Sequence, residues 1–224
     1  MKNLIPNDPA PSDGLLLAIV HDMRALLRNS LTRAQLLERS IDAAAACEHL
    51  PEIIAAGKKA ERFLGRLADY ANAAQLSPRP PVPLDAALQT ALIQFPSRPV
   101  ELEPASGGAL LVPREFSRVF GELIDNALKF SGNAPVSVRT ASTGSQIAVT
   151  VHDGGIGVDP GEEERIFEPL VRLHSQDEYP GFGLGLAICR RIADAAGARI
   201  RISPDPDGGT LAIVIFPALP EFSS

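Results

Sequence analysis

The chain has 224 residues, a length typical of one large domain or two small ones. Hydrophobic residues make up 45% of it, enough for a packed core, and a formal net charge of −6 argues against non-specific nucleic-acid binding, which needs a basic surface. No apolar run is long enough to span a bilayer, the first residues lack the apolar segment of a signal peptide, and the two cysteines fit neither a disulfide framework nor a metal site. We therefore expect a cytoplasmic protein that binds no nucleic acid and does not insert into a membrane.

The first third of the chain predicts two helices. Residues 1–12 are polar and rich in proline, which predicts a disordered segment or an appendage. Residues 13–76 follow, with small or apolar side chains at alternating spacings of four and three, the pattern of a heptad seam. The first seam consists of Leu16, Val20, Met23, Leu27, Ser30, Ala34, Leu37 and Ile41. The second consists of Leu50, Ile53, Gly57, Ala60, Leu64, Leu67, Ala71 and Ala74. The segment ACEHLP between them predicts a connection, with Pro51 in the first turn of the second helix.

A helical hairpin of this size buries too little apolar surface to be stable alone. Pairing two hairpins from two chains into a four-helix bundle would bury both seams, which predicts a homodimer. The alternative is that both seams pack on the C-terminal part of the same chain. The length and regular heptad spacing of the seams favour the dimer.

The segment SPRPPVP at 77–83 predicts a hinge, because proline cannot continue a helix. Residues 84–220 form the second predicted domain, in which helical and strand patterns are mixed. Helices are expected near 84–94, 114–130 and 184–196, and extended segments near 100–103, 109–112, 135–140, 146–152, 199–203 and 210–216. This mixture predicts a two-layer α/β sandwich. The expected fold class is therefore α+β, a helical hairpin followed by that sandwich.

A first candidate site lies in GELIDNALKFS at 121–131. On a helix, Glu122, Asn126 and Lys129 share one face, since they are spaced by four and three residues. Oxygen ligands suit a hard cation such as Mg²⁺, and a lysine offers positive charge to phosphate. The alternative for this segment alone is a solvated helix face.

A second candidate site lies in VTVHDGGIGVDP at 149–160. A strand is expected to end near His152, and Asp153 then opens a turn containing Gly155 and Gly157. Glycines allow a ligand to approach the backbone closely, and an aspartate can accept a hydrogen bond from an exocyclic amine such as that of adenine. The alternative is an ordinary turn, because Asp-Gly pairs are common in turns.

A third segment, GFGLGLAICRRIADAAG at 181–197, places Gly181, Gly183 and Gly185 directly before a predicted helix. Backbone amides at a helix N-terminus can hold phosphate oxygens. A glycine run alone is a weak signal. Neither the dinucleotide-binding fingerprint nor the lysine-containing P-loop matches the surrounding residues.

Taken in order, and together with ERIFEPLVRLHSQDEYPG at 164–181, these segments resemble the N, G1, F and G2 boxes of two-component sensor histidine kinases. The ATP-binding domain of that family has the Bergerat-type fold shared with gyrase and Hsp90. The stretch RLHSQDEYPGFGLGLAIC at 172–189 is most similar to phytochrome-type histidine kinases, as is GGTLAIVIFPALP at 208–220. The resemblance covers roughly residues 13–220. It implies ATP and Mg²⁺ as cofactors and residues 84–220 as the catalytic ATP-binding domain.

The resemblance also implies a phosphoacceptor. VHDMRALLRN at 20–29 resembles the H box of the family, in which a histidine on the first helix of the dimerisation hairpin accepts phosphate. By this resemblance, His21 would be autophosphorylated, and Asp22 would accept or orient the proton of its other ring nitrogen. The phosphate would then pass to an aspartate on the receiver domain of a response regulator. His49, His152 and His174 are assigned no catalytic role.

The remaining site residues follow from the same resemblance. Asn126 would coordinate magnesium, Glu122 would assist it or polarise the attack, and Lys129 would contact phosphate. Asp153 would hold adenine in a pocket shaped by two glycines of the following turn, Gly155 and Gly157. The phosphates would be lined by backbone amides of Gly181, Gly183, Gly185 and Leu186. Residues 170–182 would form a lid that orders over the nucleotide.

Three residues depart from the family pattern: Leu26 replaces a common proline, Gly154 an asparagine and Phe182 a threonine. They leave room for an alternative, a histidine phosphotransfer hub that has lost ATP-dependent kinase activity. An anti-sigma-type serine kinase shares the ATP fold, but the helical hairpin argues against it. About a dozen residues precede the first helix, too few for a sensor domain. Either the chain is a fragment, or a separate sensor protein controls it.

Overall fold

The structure, a computed structural model, describes residues 13–39, 43–98, 100–103, 110–143, 146–175 and 178–217. The N-terminal appendage expected at residues 1–12 lies outside the described residues. The chain divides into two compact units, Met1–Ala68 and Asp69–Ser224, and the division falls inside a helix. Among the described helices, none is both long and apolar enough to cross a bilayer.

The first unit contains the two expected helices, α1 (Asp13–Arg39) and most of α2 (Ala43–Asn72). An ion pair between Arg33 and Glu52 joins them. The prediction for Pro51 was wrong, because α2 begins at Ala43 and the proline lies in the helix interior. ACEHLP is therefore helical, although the proline has no amide to bond to the carbonyl of Cys47. Residues 40–42 lie outside the described part of the chain, and they include Ile41 of the first predicted seam.

The residues buried along α2 only partly coincide with the predicted heptad seam. Phe63, which the seam does not include, is fully buried, and Ile53, Ala60 and Leu67 are half-buried. Several apolar side chains of the helices are exposed in the single chain, namely Leu27, Leu31, Leu36, Leu50, Ile54 and Leu64. The helices therefore keep a large apolar surface that the single chain does not bury.

The second unit contains a five-stranded sheet with the order β2-β4-β5-β7-β6. Its strands are β2 (Val100–Leu102), β4 (Val136–Thr143), β5 (Gln146–Asp153), β6 (Arg199–Pro204) and β7 (Thr210–Phe216). β2 pairs with β4 in parallel, and the other neighbours are antiparallel. A separate pair joins β1 (Val82–Pro83) to β3 (Leu111–Val112). The last two residues of the segment predicted as a hinge are thus a short strand, which accommodates proline at an edge.

Three helices complete this unit: α3 (Leu84–Leu92), α4 (Phe116–Phe130) and α5 (Gly185–Ala195), with a short 3₁₀ turn at Arg165–Phe167. The apolar stripe of α4 is buried, and the ring of Phe116 lies 4.7 Å from that of Phe216 on β7. Along β7, residues alternate between buried and half-buried, as expected for a sheet with one face on a core. The predicted α+β class with a two-layer α/β sandwich is confirmed.

Candidate functional site

A buried carboxylate stands at the end of the central strand. Asp153 is the last residue of β5, opposite Val136 on β4 and Thr210 on β7, and is only 5% exposed. Burial raises the pKa of this carboxyl group, although the Gly155 amide, the charge of His152 and the Thr210 hydroxyl act in the opposite direction. The Gly155 amide donates to Asp153 Oδ1 over 2.9 Å. Burial thus disfavours the ionised form of Asp153, and hydrogen bonds to the carboxylate offset part of this cost.

The turn after Asp153 lies against the C-terminal end of α4. A Cβ on Gly155 would lie 2.3 Å from the carbonyl oxygen of Phe130, so only glycine fits there. Gly157 has a φ of +76°, in the left-handed region that favours glycine. The close approach brings the end of β5 and the end of α4 together.

The polar face of α4 carries the three residues that the sequence singled out. Glu122, Asn126 and Lys129 are all half-buried. Burial lowers the pKa of Lys129, Asp125 opposes this shift and Arg172 adds to it. Lys129 Nζ lies 4.8 Å from the centre of the Phe130 ring. The ammonium group is therefore partly desolvated, and an anion in contact with it would restore the favourable environment of its charged form.

The glycine-rich segment before α5 reaches this lysine. A Cβ on Gly181 would lie 3.2 Å from Lys129 Nζ, and Arg172 Nη1 donates to the Gly181 carbonyl over 2.9 Å. Gly185 and Leu186 are the first residues of α5, and the cap position before them is Leu184, whose side chain cannot accept hydrogen bonds. A lysine and an arginine thus lie beside Gly181, four residues before the N-terminus of α5, and cations and helix N-terminal amides are both suited to phosphate.

Gly183 has a structural role in this segment. Its φ is +67°, and a Cβ would lie 2.6 Å from the carbonyl oxygen of Val171. Its own carbonyl accepts a hydrogen bond of 2.8 Å from the Leu170 amide. Gly183 therefore fixes the glycine segment against the start of the predicted lid.

An aromatic cluster joins the predicted lid to α4. The ring of Tyr179 lies 4.7 Å from that of Phe130, and the ring of His174 lies 5.7 Å from Phe130 and 5.3 Å from Tyr179. Sequence reasoning did not select these residues or Arg172. The sequence did offer a signal for them, because Arg172, His174 and Tyr179 closely precede the glycine run and Phe130 directly follows Lys129.

The structure does not bring every predicted residue into this site. His21 and Asp22 belong to α1, and their side chains lie outside the described part of the chain. Within the described part, His, Cys, Asp and Glu side chains form no cluster of three that could hold a metal ion. Glu122 and Asn126, one turn apart on α4, are the candidate oxygen ligands.

A small cavity lies near the opposite end of α4 from Lys129. It is lined by Asp69, Asn72, Ala73, Gln75, Glu115, Arg118 and Ile192. The Ser77 amide donates to Glu115 Oε1 over 2.9 Å at its edge. The cavity thus belongs to the end of α2 and the start of α4 and is separate from the glycine-rich segments.

Residues 112–220 match the family described as histidine kinase-, DNA gyrase B-, and HSP90-like ATPase. The chain is 31% identical over 209 residues to sensor protein TorS of Escherichia coli, an alignment covering 87% of this chain and 23% of TorS. It is 34% identical over 130 residues to phytochrome-like protein Cph1 of Synechocystis, covering 57% of this chain and 17% of Cph1. The chain therefore spans less than a quarter of either relative.

The fold is also similar to that of histidine kinase ThkA in its solved complex with response regulator protein TrrA. The TM-score is 0.71 at 17% sequence identity, and the match covers 94% of this chain and 63% of the ThkA chain. At this identity, the similarity describes the fold.

Proposed function

We propose that the chain is an ATP-dependent protein-histidine kinase of the two-component type, because residues 112–220 match the histidine kinase-, DNA gyrase B-, and HSP90-like ATPase family and 87% of the chain aligns with sensor protein TorS at 31% identity. In this proposal, it autophosphorylates His21 and passes the phosphate to an aspartate on the receiver domain of a response regulator. Residues 13–76 would serve as the dimerisation and phosphotransfer hairpin, 77–83 as a hinge and 84–220 as the catalytic domain.

The observation that carries this proposal is the closeness of the Gly181 backbone to the Lys129 ammonium group. A Cβ on Gly181 would lie only 3.2 Å from Lys129 Nζ, although the two residues are 52 positions apart in the chain. The phosphates of ATP would be held there by the ammonium group and by the amides of Gly183, Gly185 and Leu186. An anionic ligand would compensate the burial that lowers the Lys129 pKa.

The adenine end would be held by Asp153, whose carboxylate can accept a hydrogen bond from the exocyclic amine. Gly155 supports this role, because its backbone lies close to Asp153 and to the end of α4. Gly157 supports it through its left-handed backbone, with a φ of +76°. The family asparagine is replaced by Gly154, and a Cβ there would lie 3.1 Å from that of Ala134. The replacement thus matches a crowded turn in this chain.

The residues present fit magnesium bound together with ATP. Mg²⁺ is commonly held by one or two protein oxygen ligands, phosphate oxygens and water, so a full cluster of protein ligands is unnecessary. Asn126 and Glu122 would supply these oxygens from α4. When bound, the ion would neutralise charge developing on the phosphates.

His21 would act as the nucleophile. A neutral ring nitrogen would form a bond to the γ-phosphorus as the bond to the bridging oxygen breaks and ADP leaves. Asp22 would accept or orient the proton on the other ring nitrogen. Glu122 would assist the magnesium or polarise the attack. Positioning and charge stabilisation would supply most of the rate enhancement.

Two partners belong to the proposal. The exposed apolar side chains of α1 and α2 support a homodimer, because a second copy of the hairpin would cover them in a four-helix bundle. A receiver domain is the proposed acceptor, since the fold is similar to a histidine kinase solved in complex with a response regulator. A separate sensor protein is a further proposed partner.

The alternative is a phosphotransfer hub without ATP-dependent activity, favoured by Leu26, Gly154 and Phe182. The test is incubation with γ-labelled ATP and Mg²⁺, comparing wild type with His21→Gln. We expect acid-labile, base-stable label on wild type and a loss of at least about 100-fold in the variant, because the nucleophile is removed.

His49→Gln is the matched control, because it replaces a histidine on the neighbouring helix, and it should keep the label. Label that persists in His21→Gln would reject His21 as the phosphoacceptor. A folded wild type that takes no label would reject the kinase and favour the hub.

A further inference from the structure

Arg118 on α4 links the end of α2 to Glu122. Its Nη2 lies 2.6 Å from Asp69 Oδ2, and its Nε lies 4.0 Å from Glu122 Oε1. Two different nitrogens of one planar guanidinium group therefore face the two carboxylates. Because the guanidinium group is planar and rigid, holding Nη2 at Asp69 also fixes where Nε lies relative to Glu122.

Charge gives a reason for the contact with Asp69. This residue lies in the last turn of α2, where a carboxylate meets the negative end of the helix dipole. That turn, DYAN, contains no basic residue in its sequence. Arg118 supplies the compensating positive charge from α4, within the same compact unit.

Burial distinguishes the two carboxylates. The Glu122 side chain is 18% exposed, whereas the Asp69 and Arg118 side chains are 42% and 33% exposed. Exposed ion pairs contribute little to stability, so we expect the pair between Arg118 and Asp69 to add little to the free energy of unfolding. A charge beside the more buried Glu122 acts more strongly, because water screens it less.

Resting on the proposed kinase function, we propose that Arg118 is a positioning residue that orients Glu122 for phosphoryl transfer. Asp69 holds the Nη2 nitrogen of the guanidinium group, and the Nε nitrogen directs the Glu122 carboxylate. Arg118 touches neither nucleotide nor phosphoacceptor in this proposal and acts only through Glu122. Its removal should slow phosphoryl transfer and leave nucleotide binding nearly unchanged.

The first measurement is the rate of autophosphorylation at saturating ATP, with the KM for ATP, in wild type and Arg118→Gln. We expect kcat to fall about tenfold and KM to stay within about twofold, since transition-state positioning is lost and ground-state binding is kept. Arg139→Gln is the matched control, because it removes an exposed arginine paired with Glu103 on the sheet. It should change neither constant.

A double-mutant cycle separates action through Glu122 from an independent effect. In the Glu122→Gln background, Arg118→Gln should cause no further loss of kcat, because the two residues act as one unit. Losses that multiply would overturn the proposal.

A charge exchange separates positioning from structural support. Asp69→Arg combined with Arg118→Asp restores an ion pair between α2 and α4 but leaves an acid beside Glu122. We expect kcat to remain at or below that of Arg118→Gln, whereas recovery to wild type would show that only the structural pair matters. A wild type without label rejects the kinase function and this inference with it. A labelled wild type with an unchanged Arg118→Gln rejects this inference alone.

Discussion

Asp153 shows how one residue can be unfavourable for stability and suited to binding. It is 5% exposed, and burial is the largest cause of its raised pKa. Folding therefore disfavours its ionised form. This disadvantage is absent below the unfolded-state pKa, grows as the pH rises through the folded-state pKa and remains at neutral pH.

Asp153→Asn is accordingly expected to raise the melting temperature at neutral pH, which lies above the unfolded-state pKa of the carboxyl group, because asparagine removes the cost of burying a carboxylate. The advantage should shrink as the pH falls through the folded-state pKa toward the unfolded-state value. The affinity for ATP should fall by about tenfold or more, because a hydrogen bond to a charged group contributes roughly 1.5–3 kcal/mol. Thermal melts across pH and binding titrations measure the two effects.

The control is Asp159→Asn, at an exposed aspartate six positions further along the same segment. It should change neither quantity. An unchanged affinity in Asp153→Asn would argue against the adenine role. A lower melting temperature at neutral pH would show that hydrogen bonds to the carboxylate outweigh its burial.

Among the structural elements, the segment before α5 depends on one glycine. Gly183 combines a φ of +67° with a built Cβ contact of 2.6 Å to the Val171 carbonyl oxygen. Gly161 shares the left-handed conformation, with a φ of +93°, but the described atoms around it leave open space. Comparing the two separates backbone strain from steric conflict.

We expect Gly161→Ala to lose about 1 kcal/mol of unfolding free energy, from left-handed strain alone. Gly183→Ala should lose about 2–3 kcal/mol or more, because the conflict with backbone atoms adds to that strain. Its ATP affinity should also fall, since the segment must move away from Lys129. Urea unfolding and nucleotide titration measure both effects, and equal losses in the two variants would contradict the steric argument.

The sequence predicted the elements of the second unit well, because their periodicity is strong. The apolar stripe of α4 and the alternation along β5 and β7 each fit one type of structure. Pro51 was placed wrongly, since proline marks a helix start only on average and the surrounding residues extend α2 to Ala43. Phe63 was missed because burial depends on the neighbouring elements and not on heptad phase alone.

Within the site, sequence could suggest residue types but not distances. Lys129 and Gly181 were both selected, yet nothing local to either indicates that they meet. Their contact depends on how α4 and the segment before α5 are brought together by the sheet. The same holds for Gly155 against the Phe130 carbonyl and for Arg118 against Asp69.

At the scale of the whole molecule, the exposed apolar surface of α1 and α2 is energetically unfavourable in the single chain. Leu27, a member of the first predicted seam, is 58% exposed in the single chain, and Leu50 and Leu64 of the second seam are exposed too. Exposed apolar side chains on two adjacent helices favour association, because association removes them from water. The proposed four-helix bundle would cover them with the same surface of a second chain.

Leu27→Glu should therefore weaken the dimer by at least about 100-fold, because an unpaired carboxylate would be buried in the bundle. Sedimentation or light scattering over a concentration series would show dissociation at concentrations where the wild type stays dimeric. Ile93→Glu is the matched control, since Ile93 is 76% exposed but lies at the end of α3 in the second unit. It should leave the mass unchanged. A dimer that survives Leu27→Glu but dissociates with Ile93→Glu would place the interface on the second unit, and the seams would then require a different partner.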